Sequence, residues 1–180
     1  MTTDFRIHDL QLALKPGAGK PPFTAFVQTL RAELPPEGLD TIVREGLRAA
    51  APKLPVDVEI RETRLVPGGL QISARAKRSL LKADLVATIH ISSPDGKVIR
   101  VRLAQMDAPV WVPVKLVVDQ AIQMAAARFG LRPVAGDDRA VDLDPVLLMR
   151  TAGVPMTFDD LGVWSVDATA AGLTMIFAAM

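Results

Sequence analysis

Polar and apolar residues alternate along four consecutive segments in the middle of the chain, residues 56–60, 70–76, 85–91 and 99–103. Strict alternation is the pattern of a β-strand that buries one face and exposes the other. Pro-Gly-Gly separates the first two segments and Ser-Pro-Asp-Gly separates the last two, and both compositions are typical of hairpin turns. The pattern therefore predicts a four-stranded antiparallel meander with one apolar face.

Apolar residues recur every three or four positions in three other segments, which is the periodicity of an amphipathic helix. The first, residues 23–34, ends at Pro35-Pro36, and the second covers residues 39–54. The third follows Pro113, which suits the first turn of a helix, and extends to residue 129, where a glycine is suited to end it. The sequence therefore predicts two helices before the meander and one after it.

The two ends of the chain carry further strand patterns. Residues 5–14 alternate as a strand does and precede a loop rich in glycine and proline at 15–22. Residues 163–169 and 173–177 form a predicted hairpin, preceded by a short strand at 141–143 and a helical turn at 146–149. We interpret the chain as one α+β domain in which helices cover the apolar face of a long antiparallel sheet. Residues 1–36 form an N-terminal extension of strand and helix, and residues 37–180 form the core.

The amino-acid composition excludes several classes of functional site. The chain has no Cys, no Tyr and two His, so it lacks disulfides, thiolate metal sites and cysteine nucleophiles and has little scope for acid–base catalysis. A hydrophobic content of 49% excludes wholesale disorder, and a net charge of +1 is too balanced for a protein that wraps nucleic acid. We expect a binding protein that is not an enzyme, with no cofactor, no metal and no nucleic-acid partner.

Short motifs add little to this expectation. The stretch Gly17-Ala18-Gly19-Lys20 falls short of a phosphate-binding loop, because Leu14 stands where that motif needs glycine and Pro21 where it needs Ser or Thr. The acidic pairs at 137–138, 142/144 and 159–160 suit caps and turns better than a metal site. His90 shares the polar side of its strand, where we expect it opposite Arg100.

Location is predicted from the same patterns. No apolar run approaches the roughly 20 residues of a membrane span. Asp4, Arg6 and Asp9 lie where a signal peptide needs its apolar core. We expect a cytoplasmic protein, with peripheral contact to a membrane as a further hypothesis.

The apolar face of the meander and the stripe of the third helix form the candidate ligand site. Both surfaces mix small and branched residues, so helix and sheet either approach closely or leave a cavity between them, and both alternatives stay open. The candidate ligand-binding residues are Ile72, Ala74, Ala76, Leu85, Ala87, Ile89, Val101, Leu103, Val117, Val118, Ala121, Ile122 and Ala125.

The polar face of the meander collects cations, and Arg75, Lys77, Arg100 and Arg102 are the candidate contacts to anionic lipid headgroups. The neighbouring break at 78–82 adds further basic residues. The alternative is ordinary cross-strand pairing with acidic neighbours, for which the candidates are Asp57, Glu59 and Asp84.

The order of elements from residue 37 onward can be compared with known folds. An amphipathic helix precedes VDVEIRETRLVPGGLQISARA at 56–76, and two strands around SPDG, a helix begun by proline, VDLDPVLL at 141–148 and a closing hairpin follow. This order resembles the tubular lipid-binding (TULIP) superfamily in its bacterial single-domain form, over residues 37–178. The resemblance implies a highly curved antiparallel sheet wrapped around a long amphipathic helix, with an apolar groove that holds acyl chains and no catalytic residues.

Two hypotheses of function follow. The first is non-enzymatic binding of a lipid or another apolar ligand between sheet and helix, with lipid transfer or membrane association as its context. The alternative is a scaffold or assembly protein that uses its apolar surface for oligomerisation, so that its partner is a second copy of the chain. A helix-grip ligand-binding protein or cyclase is a weaker third, because such folds end in a long helix and this chain ends in the strand-like LTMIFAA.

Overall fold

The computed structural model describes residues 6–16, 23–129, 131–144 and 161–179. The described residues form two α-helices, one short 3₁₀ turn (Ala51–Lys53) and ten β-strands. In chain order the elements are β1 (Arg6–Pro16), β2 (Phe23–Leu34), α1 (Pro36–Ala50), β3 (Asp57–Val66), β4 (Gly69–Arg78), β5 (Leu81–Ser92), β6 (Ile99–Asp107), α2 (Val114–Phe129), β7 (Arg132–Val134), β8 (Asp137–Leu143), β9 (Leu161–Thr169) and β10 (Gly172–Ala179).

The strands form two antiparallel sheets. The small sheet has four strands in the order β1-β2-β10-β9, and the large sheet has six in the order β3-β4-β5-β6-β8-β7. The predicted meander is confirmed as β3 to β6, and Gly68 turns the first hairpin with a φ of 76° that favours glycine. The prediction of an α+β fold built on antiparallel sheet is therefore confirmed. A sheet wrapped around one long helix is not established: α2 has 16 residues, and among its described side chains Val114 and Val117 pack against a core of the large sheet.

The predicted helix at 23–34 is wrong, because this segment is strand β2. Its apolar spacing imitates a helix through a β-bulge: Gln11 of β1 pairs with Thr29 and Leu12 pairs with Val27, so Gln28 is an extra residue. The extra residue places Val27 and Leu30 on the same face although they are three positions apart. The spacing of three then looks like one helical turn, whereas Leu30, Ala32 and Leu34 keep the spacing of two that a strand requires.

The N-terminal and C-terminal hairpins belong to one sheet. Strand β10 pairs with β9, as the sequence predicts, and also with β2, where Phe177 lies opposite Leu30 and Leu173 opposite Leu34. The second pairing joins residues far apart in sequence, so local patterns do not reveal it. Strand β7 is likewise found where the sequence predicts a loop. The helical turn expected at 146–149 and most of the loop at 15–22 lie outside the described residues.

A first core lies between the two sheets. Val163, Phe177 and Leu30 are almost completely buried there, together with Leu39 of α1 and Ile99 of β6. The β5–β6 turn ties the sheets together, because Val163 N donates to Gly96 O at 2.7 Å and Ser93 Oγ donates to Val163 O at 3.2 Å. One end of the large sheet is thus covered by the small sheet, which corrects the prediction that helices alone cover it.

A second core lies at the other end of the large sheet. Ala74, Ala76 and Leu85 are buried beside Val56 and Val112, and residues of α2 and of the segment before it pack against them. Helix α1 lies along the edge strand β3, where Arg44 Nη1 donates to Ile60 O at 3.1 Å and Arg44 Nε to Asp40 Oδ2 at 2.7 Å. The large sheet therefore has a closed core at each end.

Candidate functional site

The predicted ligand-binding residues of the meander share the apolar face of the large sheet. Ile72 lies opposite Ala87, Ala74 opposite Leu85, and Ile89 opposite Leu103 across the antiparallel ladders. Directly opposite residues point to the same side of a sheet. The candidate residues from β4, β5 and β6 are therefore brought onto one surface.

That surface is not uniformly buried. Ala74, Ala76 and Leu85 belong to the second core, whereas five apolar residues in the middle of the sheet belong to neither described core and are half-buried. Their neighbours Leu70 and Val141 are buried. We call the five half-buried residues the central band; its members are Ile72, Ala87, Ile89, Val101 and Leu103. The band crosses three strands and contains no polar side chain.

Helix α2 meets this surface only in part. Val117 packs against the second core, and Ile122 is half-buried. Val118 instead lines a cleft toward β8, while the side chains of Ala121 and Ala125 lie outside the described part of the chain. Helix α2 makes its main contacts with α1, β7 and β8. That its apolar stripe faces the middle of β4 to β6 stays a prediction.

The cleft between α2 and β8 has a volume of about 280 Å³. Charged and apolar residues line it together: Val114, Lys115, Val118, Asp119, Asp138 and Arg139. Lys115 Nζ lies 3.1 Å from Asp138 Oδ2 and 3.9 Å from Asp119 Oδ2. The hydrogen bond to Asp138 raises the pKa of Lys115, and the same bond lowers the pKa of Asp138. Because these charges already compensate one another, the cleft lacks the apolar lining of an acyl site.

Arg75 and Lys77 of β4 lie on the polar face, and both are paired. Arg75 Nε contacts Asp84 Oδ1 at 2.8 Å, and Lys77 Nζ contacts Glu59 Oε2 at 3.0 Å. The hydrogen bond from Arg75 lowers the pKa of Asp84, and that from Lys77 lowers the pKa of Glu59. Both acidic partners are among those that the sequence predicts for cross-strand pairing, which is the alternative to headgroup contact.

The basic residues of β6 are also paired, but with partners that the sequence does not indicate. Arg100 makes a bidentate contact with Asp142, at 2.7 Å from Nε and 2.9 Å from Nη2. Arg102 Nε lies 2.8 Å from Asp137 Oδ2. Both carboxylates come from β8, which pairs with β6 over a long sequence separation. Headgroup binding by the four predicted residues stays a prediction, and each of them already has a carboxylate partner.

Two basic residues, Arg78 and Lys82, flank the β4–β5 turn and differ from those of the polar face in their pairing. Within the part of the chain that the structure describes, neither Arg78 nor Lys82 is in an ion pair. Between them Leu80 is 97% exposed and Leu81 is 52% exposed, and Ser79 has a φ of 54°. This turn combines positive charge that is unpaired among the described residues with an apolar tip, Leu80, that is almost fully exposed.

The structure also locates His90 and the acidic residues that the sequence offers as candidates for chemistry. His90 is exposed and lies opposite Arg102, not Arg100, because the β5–β6 turn spans residues 93–98 and the ladder begins with Ser92 opposite Arg100. Across the described ranges, no three His, Cys, Asp or Glu residues come together as a metal site requires. The helices described here are too short or too polar to cross a bilayer.

Comparison with known proteins gives no relative from which a function could be transferred. No protein-family model, no curated protein and no solved structure matches the chain.

Proposed function

We propose that the apolar face of the large sheet binds a lipid acyl chain or a similarly elongated apolar ligand, without catalysing a reaction. The observation that carries the proposal is the central band, which stays half-buried between two closed cores. The buried residues of each core are almost completely covered, whereas the five members of the band are half-buried and belong to neither core. A ligand laid on the band would complete the burial that the protein leaves unfinished.

The chemistry of the band favours a chain of methylene groups. Neighbouring strands are about 4.8 Å apart, so three strands offer a strip about 10 Å wide. Removing apolar surface from water contributes roughly 25 cal/mol per Å² on each partner. With no polar side chain in the band, selection among ligands would depend on length and shape, as in other mainly apolar sites.

The finer architecture forms part of this proposal. In it the large sheet curves toward α2, so that sheet and helix enclose the ligand as the resemblance to tubular lipid-binding proteins implies. Val117 and Ile122 support this arrangement from the helix side, since one packs at the second core and the other is half-buried. The protein would act in the cytoplasm, taking its ligand up or releasing it at a membrane.

The contact with a membrane would be made by the β4–β5 turn instead of the paired strip on the polar face. Leu80 is free to enter the acyl region, and Arg78 and Lys82 are free to contact anionic headgroups. Each such cation near an anionic surface contributes about 1 kcal/mol. Cations that already hold carboxylates, such as Arg75, would contribute less.

Displacement of a fluorescent fatty acid tests the ligand site. The Ala87→Trp variant places a large ring in the band, so we expect binding to be lost while the melting temperature holds or rises slightly. Thr88→Trp is the matched control, because it adds the same ring to the adjacent position on the opposite face. Parent protein that binds no fatty acid, and yields no lipid in the mass spectrum of an organic extract, would contradict the proposal.

Co-sedimentation with vesicles tests the membrane contact. We expect binding to vesicles that contain phosphatidylserine, and loss of that binding at high salt because the contact is electrostatic. The double variant Arg78→Gln/Lys82→Gln should lose most of the binding, whereas the matched pair Arg75→Gln/Lys77→Gln on the same hairpin should keep it. Equal loss in both pairs would point to net charge alone.

A further inference from the structure

Strand β1 carries apolar residues that the fold leaves exposed. Ile7, Leu10, Leu12 and Leu14 are between 37% and 63% exposed. The pairing with β2 places Leu10 opposite Leu30 and Leu12 opposite Val27, both of which are buried in the first core. The apolar face of the small sheet therefore extends one strand beyond the core that covers it.

The same strand is an edge. Among the described residues, β1 pairs with β2 alone, so the backbone N–H and C=O groups along its other side have no partner strand. Native proteins commonly blunt such edges with charge, proline or bulges, because a long apolar edge is a template for another strand. Here the bulge at His8 and the proline at position 16 bracket residues 9–15. This stretch is regular on β1 itself, because the register shift at Gln11/Leu12 comes from the extra residue Gln28 on β2.

We propose that a second copy of this chain pairs with β1, strand to strand and antiparallel, about a two-fold axis at Leu12. This register uses the whole regular stretch of both copies. It places Leu12 opposite the same residue of the second copy and Leu10 opposite Leu14, so that leucines lie beside leucines on one face. It also places Asp9 opposite Lys15 twice, which pairs opposite charges at both ends of the ladder.

Other registers fit less well. A shift by one residue places leucine opposite polar positions, because side chains alternate between the two faces. A shift by two keeps leucine opposite leucine but loses both pairs of Asp9 with Lys15. The apolar pattern therefore excludes shifts by one residue, and the charges select one register among those that remain.

The proposed pairing leaves no β1 edge free for a third copy of the chain. A two-fold axis uses the same strand on both copies, so each β1 edge is consumed by the other. The opposite edge strand of the small sheet, β9, packs against β3, β4 and β5 of the large sheet. The two small sheets would merge into one continuous sheet of eight strands, and growth would stop at the dimer. This inference does not depend on the proposed ligand site, which lies on the large sheet.

Cross-linking tests the register directly, because the chain has no cysteine. Residues directly opposite in an antiparallel pair have Cα atoms about 4.5–5.5 Å apart, which is within reach of a disulfide. We expect the Leu12→Cys variant to form a covalent dimer under mild oxidation. Leu116→Cys is the matched control, since Leu116 of α2 is 47% exposed against 45% for Leu12. Equal cross-linking of both variants, or none for Leu12→Cys, would overturn the proposal.

Charge reversal tests it without cysteine, by sedimentation velocity and circular dichroism on the full chain. We expect a dimeric mass for the parent and a monomeric mass for both Asp9→Lys and Lys15→Asp. Mixing the two variants should restore a dimer, since each unlike pair is then attractive. Leu12→Lys should also give a folded monomer, whereas Leu116→Lys should stay dimeric. A monomeric parent, or a dimer that survives Leu12→Lys, would refute the inference.

Discussion

The first core and the central band are both apolar, yet they differ in how completely the fold covers them. Where the small sheet faces the large one, Phe177 is 0% and Leu30 1% exposed. In the central band, on the same face of the large sheet, Ile89 and Leu103 stay half-buried. The small sheet packs on the large sheet at the first core, whereas Val114 and Val117 of α2 pack on it at the second core. The difference shows that an apolar pattern in the sequence does not determine how deeply its residues are buried.

Identical leucine truncations should separate the two regions most strongly. We expect Leu30→Ala to lower the free energy of unfolding by about 2–5 kcal/mol, because a cavity forms in a region that cannot collapse. Leu103→Ala removes the same atoms from a half-buried position, so we expect about 1 kcal/mol. Urea denaturation of both variants measures the two losses. Equal losses would mean that the central band is packed as tightly as the first core.

A second, smaller effect concerns the edge of the band, where β4 begins. A Cβ atom at Gly69 would lie 1.9 Å from the backbone oxygen of Ile89. We expect Gly69→Ala to destabilise the protein by about 1–3 kcal/mol, because two paired strands must move apart. Gly46 of α1 has nothing within 4 Å of such an atom among the described residues, so Gly46→Ala should stabilise by about 0.5–1 kcal/mol. Thermal melts of both variants provide the comparison.

The meander could be predicted from the sequence because its information is local. Alternation and turn composition identify β3 to β6, and the α1 prediction holds for the same reason. The prediction for β2 fails because a bulge at Gln28 changes the phase of the alternation, and no residue in the segment marks the bulge. The sequence does not predict the small sheet as a unit, because its β2–β10 pairing joins residues near the two ends of the chain.

The sequence predicts which face of the sheet the candidate residues share, but not how deeply each of them is buried. Alternation correctly groups Ile72, Ala87 and Ile89 with the other inward residues, since side-chain direction follows from position in a strand. Which of them stay half-buried depends on where the small sheet and α2 end. The ion pairs also differ in what the sequence predicts. Asp84, the partner of Arg75, lies on the next strand along the chain and is predicted, whereas Asp142, the partner of Arg100, lies on a strand distant in sequence and is not.

The smallest expected effect lies in the turn that holds the two sheets together at the first core. Asp95 Oδ1 accepts from the backbone N–H of Lys97 at 2.9 Å and of Val98 at 3.3 Å, and Gly96 in the same turn binds Val163. The hydrogen bond from Lys97 is the main cause that lowers the pKa of Asp95.

Stability that depends on a lowered carboxyl pKa is present above the unfolded value, about 3.9, and is lost as pH falls through the folded value. Asp95→Asn removes the titrating charge but keeps an acceptor for Lys97. We therefore expect the parent to be slightly more stable than the variant near neutral pH, and the gap to close as the solution is taken below about pH 4. Urea unfolding of the two proteins across that range measures it. A gap that persists unchanged in acid would mean that the geometry of the turn, and not the charge of Asp95, fixes the closed end of the sheet.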